Sequence, residues 1–163
     1  MTVTEIRNDP EDLRTVFVAE FDAPMERVWQ LWSDPRKLER WWGPPGYPAT
    51  FETHEFVAGS QARYHMVDGE GSTYPGWWTI TSVEEPHRLE FDDGFIDAEG
   101  QKSVEMGSTH SAVTLEPHDG GTRMTLTSHF ESREQYDEMD RLGATEGMRL
   151  AMGQMDAILV EAG

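Results

Sequence analysis

Three residues in the first half of the chain are of the types that move protons. Glu52 and His54 lie in TFETHEF (Thr50–Phe56), and Tyr64 lies in QARYHMV (Gln61–Val67). Glu52 and His54 are two residues apart, so in an extended strand they share a face, and Phe56 shares it with them. With Phe56 turned inward, a carboxylate and an imidazole look into the interior, where they can serve as general acid and base or hold a polar ligand group. With Phe51 and Val57 turned inward, both side chains are solvated; this arrangement is the favoured one. An inward Tyr64 is a hydroxyl able to orient a ligand, because a buried phenol needs a partner.

Other chemistries find little support. Glu52 and His54 alone are too few for a stable metal site. His110 and His129 fall on solvent parity and His87 and His118 in turns, so no metal is expected. No Gly-x-Ser-x-Gly elbow occurs, and GSQAR and GEGS lack the lysine and following helix of a phosphate loop. Asp92-Asp93 and Glu84-Glu85 read as solvated turns. The chain of 163 residues has no cysteine, which removes disulfides and thiolate chemistry. No cofactor is expected. Formal net charge is −18, a field that disfavours nucleic acid and anionic membranes as partners. No apolar run approaches the roughly 20 residues of a membrane span. The polar, acidic N-terminus is unlike a secretory signal, and a cytoplasmic location is the expectation.

The elements that must position these residues follow from periodicity. Residues 1–13 read as a lead-in to one domain over 14–163. RTVFVAEF (Arg14–Phe21) reads as a strand. DAPMERVWQLWSD reads as a helix with Asp22 as N-cap and Met25, Val28, Trp29 and Trp32 as its apolar stripe. Pro35–Trp42 reads as a second short helix, stopped by Gly43-Pro44-Pro45-Gly46. Strands are expected at Thr50–Phe56, Gln61–Val67, Trp77–Glu85, Arg88–Phe95, Thr109–Pro117 and Thr122–Phe130, with an excursion at 96–106. Ser132 to Gln135 fits a capping box opening a terminal helix. Its stripe runs through Tyr136, Met139 and Leu142, pauses at Gly143, and resumes through Met148, Met152 and Met155.

This order predicts an α+β protein whose curved, seven-stranded antiparallel sheet is covered on one face by the long C-terminal helix. Two short helices stand between strands one and two. Strand parity turns Tyr64, Met66, Trp78 and Phe91 inward, and leaves Phe56 open. With Trp32 and Trp42 at the helix pair and Met139, Met148 and Met152 on the terminal helix, these are the candidate ligand-lining residues. Methionine suits walls of variable shape.

Taken together, FDAPMERVWQLWSDPRKLERWWGPPGY, EFVAGSQARYHM, YPGWWTITSVEEPHRLEF, TLEPHDGGTRMTLTSHF and GATEGMRLAMGQMDAIL resemble the AHSA1-like domains of the START/polyketide-cyclase (SRPBCC) superfamily, from about Arg14 to Val160. Two departures stand out. Ala58-Gly59-Ser60-Gln61 replaces the family's usual double glycine and arginine, and Met148 stands where a tryptophan often follows the glycine of the terminal helix. The resemblance implies a helix-grip fold with a cavity between sheet and helix. It implies three functional readings. The leading one is binding of an apolar or aromatic small molecule. The alternatives are a cyclase- or hydrolase-like enzyme and a chaperone-regulating interaction module. A homodimer through a sheet edge or the aromatic end stays open.

Overall fold

The structure, a computed structural model, describes residues 3–104 and 107–161. Its framework is one eight-stranded antiparallel sheet. The strands are β1 (Val3–Asp9), β2 (Arg14–Phe21), β3 (Ala49–Thr53), β4 (Gln61–Val67), β5 (Thr73–Glu84), β6 (Arg88–Phe95), β7 (Ser108–His118) and β8 (Gly121–Phe130). Their order is β1-β2-β8-β7-β6-β5-β4-β3, so the first hairpin joins the sheet beside the last strand. Two helices, α1 (Met25–Ser33) and α2 (Pro35–Trp41), fill the crossover from β2 to β3. Three helical segments, α3 (Arg133–Arg141), α4 (Ala144–Met152) and α5 (Met155–Glu161), close the chain.

The eighth strand corrects the expectation of seven. Residues 3–9 are not a lead-in: they pair with β2 from Val3↔Ala19 to Asp9↔Arg14. Their signal is weak because this is an edge strand, apolar only at Val3 and Ile6. The terminal helix is likewise not one rod. Gly143 adopts φ +79 and caps α4, a conformation that costs glycine least. A second break follows Met152, where the Gln154 side-chain amide donates to the Gly43 carbonyl at 2.7 Å. That bond ties the terminal helices to the Trp-Trp-Gly turn. β3 stops at Thr53 rather than reaching Phe56, and β5 starts at Thr73. Pro24, not Asp22, stands at the N-cap of α1, without a side-chain bond. Asp34 caps α2 through Arg36 N at 3.0 Å, and Ser132 caps α3 through Gln135 N at 3.0 Å.

The core lies between the sheet's inner face and the helices. Trp32, Trp41, Trp78 and Phe91 are fully buried there. Trp78 stacks on Phe91 with ring centroids 4.0 Å apart, and Trp32 meets Trp41 edge-on at 4.7 Å. Aromatic pairs in these geometries add to their area burial. Both residues of the Trp77-Trp78 pair are buried, on opposite faces. Trp78 points inward with Ile80, while Trp77 lies under the 96–104 excursion, with Lys102 Nζ 4.0 Å above its ring.

Candidate ligand-binding cavity

A cavity of about 160 Å³ lies between the sheet and the α3–α4 junction. Its origin is legible in the register. Thr15 on β2 faces Ser128 on β8, which faces Ser111 on β7. One step inward along the same face, Phe17, Leu126 and Val113 form the next row. Small hydroxyl residues at one level of three adjacent strands leave the sheet short of filling the space beneath Met148 and Thr145, which line the far side. Phe17, Leu126 and Phe130 supply apolar wall, with Met139 from α3. The edge is held by β1: Thr15 Oγ1 and Thr145 Oγ1 both donate to Asn8 Oδ1, at 3.1 and 3.3 Å.

The other wall is polar at its tips. Trp42, the C-cap of α2, closes one side with its ring 6.1 Å from that of Tyr64 and nearly perpendicular to it. Its indole N–H is buried without a full hydrogen bond, though it acts on the Tyr64 hydroxyl and slightly opposes the rise in that group's pKa. Tyr64 lies opposite Gly76 in the β4–β5 register, and the missing side chain there gives its ring room. Asp93 follows Phe91 on the inner face of β6, and the surface it keeps looks into the cavity. Burial raises the Asp93 carboxyl to about 7, helped by the charge of Asp92. Burial also raises the Tyr64 phenol, with Asp93 adding to it, so Tyr64 keeps its proton at neutral pH. Among the described residues, no lysine, arginine or histidine lines the cavity.

Of the residues singled out from the sequence, Trp42, Tyr64, Met139 and Met148 line this cavity. Trp32, Trp78, Phe91 and Met152 do not: each is completely enclosed by neighbouring side chains. The aromatic rings they were expected to offer a ligand are spent on one another. Phe56 packs edge-on against Trp29 at 5.4 Å, and Met66 packs against the core away from the opening.

Glu52 and His54 are separated. Glu52 points outward and accepts from His65 at 3.0 Å. Phe51 takes the inward place on β3. Because β3 ends at Thr53, His54 no longer obeys strand parity. It turns in on its own, 3.1 Å from the Trp32 carbonyl at the end of α1. Burial lowers its pKa against the weaker pull of that carbonyl and of Asp34. A neutral ring donating from Nε2 to an orphan helix carbonyl is a structural cap. Glu52 and His54 thus form no acid–base pair.

Sequence reasoning missed Asp93, Thr15, Ser111 and Ser128. Parity contained the signal: Asp93 shares the face of Leu89, Phe91 and Phe95, yet reading Asp92-Asp93 as a solvated pair hid it. Among the described residues, no group of three metal-binding side chains is placed to hold an ion, and no helix is long and apolar enough to cross a membrane.

A curved antiparallel sheet closed by C-terminal helical segments, with a cavity between them, defines the helix-grip class. The chain belongs to the AHSA1 family: the family model, described as activator of Hsp90 ATPase homolog 1-like protein, matches residues 22–160. The solution structure of a protein from Arthrobacter aurescens is 52% identical with a TM-score of 0.95, over 99% of this chain and 94% of that one. A crystal structure from Mycobacterium smegmatis is 39% identical with a TM-score of 0.88, over 96% of each chain. The AHSA1 protein of Silicibacter pomeroyi is 25% identical with a TM-score of 0.77, over 92% of this chain and 99% of that one. No curated protein matches the chain.

Proposed function

We propose that this protein binds an apolar or aromatic small molecule in the cavity between β2, β8, β7 and α4. The observation that carries the reading is the row Thr15–Ser128–Ser111. It leaves a void next to a well-filled aromatic core, where larger residues would have closed it. Methionines 139 and 148 give that void walls that adapt. A thermal-shift titration of the full chain with toluene tests it. Melting temperature rises with toluene concentration, as mass action on the folded state requires. Ser111→Leu, which fills the void, removes the rise. A flat response in the wild-type chain disposes of the reading.

A second reading, proton transfer on a bound ketone, is favoured by one observation. A carboxyl raised to about 7 shares the cavity with two hydrogen-bond donors, the Tyr64 hydroxyl and the Trp42 N–H. Asp93 would take the α-proton of the ketone, and the donors would hold the enolate oxygen. Deuterium uptake by 4-methylcyclohexanone in heavy water, lost in Asp93→Asn, would support this reading. Uptake no faster than in buffer would end it. Binding alone needs no such turnover.

A further inference from the structure

We infer that the polar end of the cavity is a head-group site for a neutral hydroxyl, built from the Trp42 indole N–H, the Tyr64 hydroxyl and the Asp93 carboxyl. The ligand is then an aromatic or alicyclic alcohol of about one ring. This rests on the cavity being a binding site, and it names the class of molecule bound.

Trp42 and Tyr64 are each more than nine-tenths buried, with exposures of 6% and 7%. The Trp42 N–H can only donate, and it has no acceptor. The polar groups that act on the Tyr64 hydroxyl are the Trp42 N–H, whose contact with it falls short of a full hydrogen bond, and the Asp93 carboxyl, whose charge raises the phenol's pKa. Buried polar groups normally find partners, so an unpartnered Trp42 N–H beside the Tyr64 hydroxyl and the half-buried Asp93 carboxyl, all on one void, asks for one from outside.

The charge pattern selects among candidate partners. A ligand carboxylate or phosphate would meet Asp93 with no cation among the described wall residues to balance it. An ammonium would suit Asp93 but carries no lone pair for the Trp42 N–H. A hydrocarbon leaves every polar group unmet. A hydroxyl answers both sides: its oxygen accepts from Trp42 or Tyr64 while its proton goes to Asp93. Size points the same way. The void of about 160 Å³ is close to the roughly 150 Å³ engineered cavity known to hold benzene in another protein.

The experiment is calorimetric titration of the full chain at neutral pH with toluene, p-cresol, p-toluate and 4-methylbenzylamine, which share one ring and differ in one group. p-Cresol is expected to bind at least about tenfold tighter than toluene, because a site built around hydrogen bonds discriminates strongly against the analogue lacking them. p-Toluate and 4-methylbenzylamine are expected to bind more weakly than p-cresol. Tyr64→Phe and Asp93→Leu should each remove most of the p-cresol advantage while toluene still binds. The Tyr64 variant loses a single atom, so the test survives if Asp93→Leu fails to fold. Toluene binding with no gain for p-cresol, or a gain unchanged in Tyr64→Phe, overturns the head-group site and leaves the cavity reading standing. Tighter binding of the acid or amine also overturns it. Binding of none of the four removes the cavity reading itself, and this inference with it.

Discussion

The ring of Tyr64 lies across Gly76, its register partner on β5. A side-chain carbon built at residue 76 would fall 2.4 Å from the Tyr64 hydroxyl. The glycine is there for space, since the tyrosine ring occupies the room that a side chain would take. Gly76→Ala should therefore destabilise the protein by about 1–3 kcal/mol through overpacking. Strand propensity alone predicts the opposite sign, because glycine weakens a strand. Urea unfolding measures the sign. A near-neutral or stabilising result would mean that the ring moves away freely.

Asp93 makes the fold lose stability as pH rises from acid toward neutral. Its carboxyl titrates near 7 in the folded protein, against an ordinary value of 3.8. The folded state therefore holds a proton that the unfolded chain gives up, and stability falls as pH rises between those two values. Asp93→Asn keeps the shape and removes the charge. The variant should gain melting temperature relative to wild type at pH 8 and show a much smaller difference at pH 5. Equal differences at both values would place the carboxylate in water.

His54 acts in the opposite direction. Burial lowers its pKa below the ordinary 6.5, so the unfolded chain takes up a proton that the folded ring refuses. Its contribution is complete above that value and is lost as pH falls through it. His54→Asn should cost about 1 kcal/mol at pH 7.5 through the lost bond to the Trp32 carbonyl. It should also flatten the acid side of the stability profile. An unchanged acid slope would contradict a neutral, capping histidine.

Two methionines separate core from cavity. Met152 is fully enclosed, whereas Met148 is half-buried and lines the void. Met152→Ala should cost about 2–5 kcal/mol, the usual penalty for an emptied core position. Met148→Ala should cost less, because only part of its surface is packed, and it should enlarge the range of ligands accepted. Denaturant midpoints of the two variants give the comparison, and equal losses would place Met148 in the core.

The hairpins, the helix pair and the inward faces of β4, β6, β7 and β8 could all be read from the sequence, because each repeats its pattern over several residues. What escaped depended on partners distant in sequence. β1 is polar along most of its length and declares itself only by pairing with β2. His54 looked like a strand residue until β3 ended one position before it. The tryptophans announced an enclosed space, but apolar pattern cannot distinguish rings facing a void from rings filling it. Trp32 and Trp78 fill it, and Trp42 alone of the three borders the cavity. Asp93 was hidden by its neighbour Asp92, since an acidic pair suggests solvent even when alternation sends one member inward.

The central claim is that the space bounded by Phe17, Leu126 and Met148 is open and apolar enough to admit a guest. Crystals of the full chain pressurised with xenon test this most directly, since xenon enters apolar cavities. The account predicts a xenon peak beside Leu126, absent in Ser111→Leu. A wild-type crystal with no xenon there, and side chains filling the space, would contradict it.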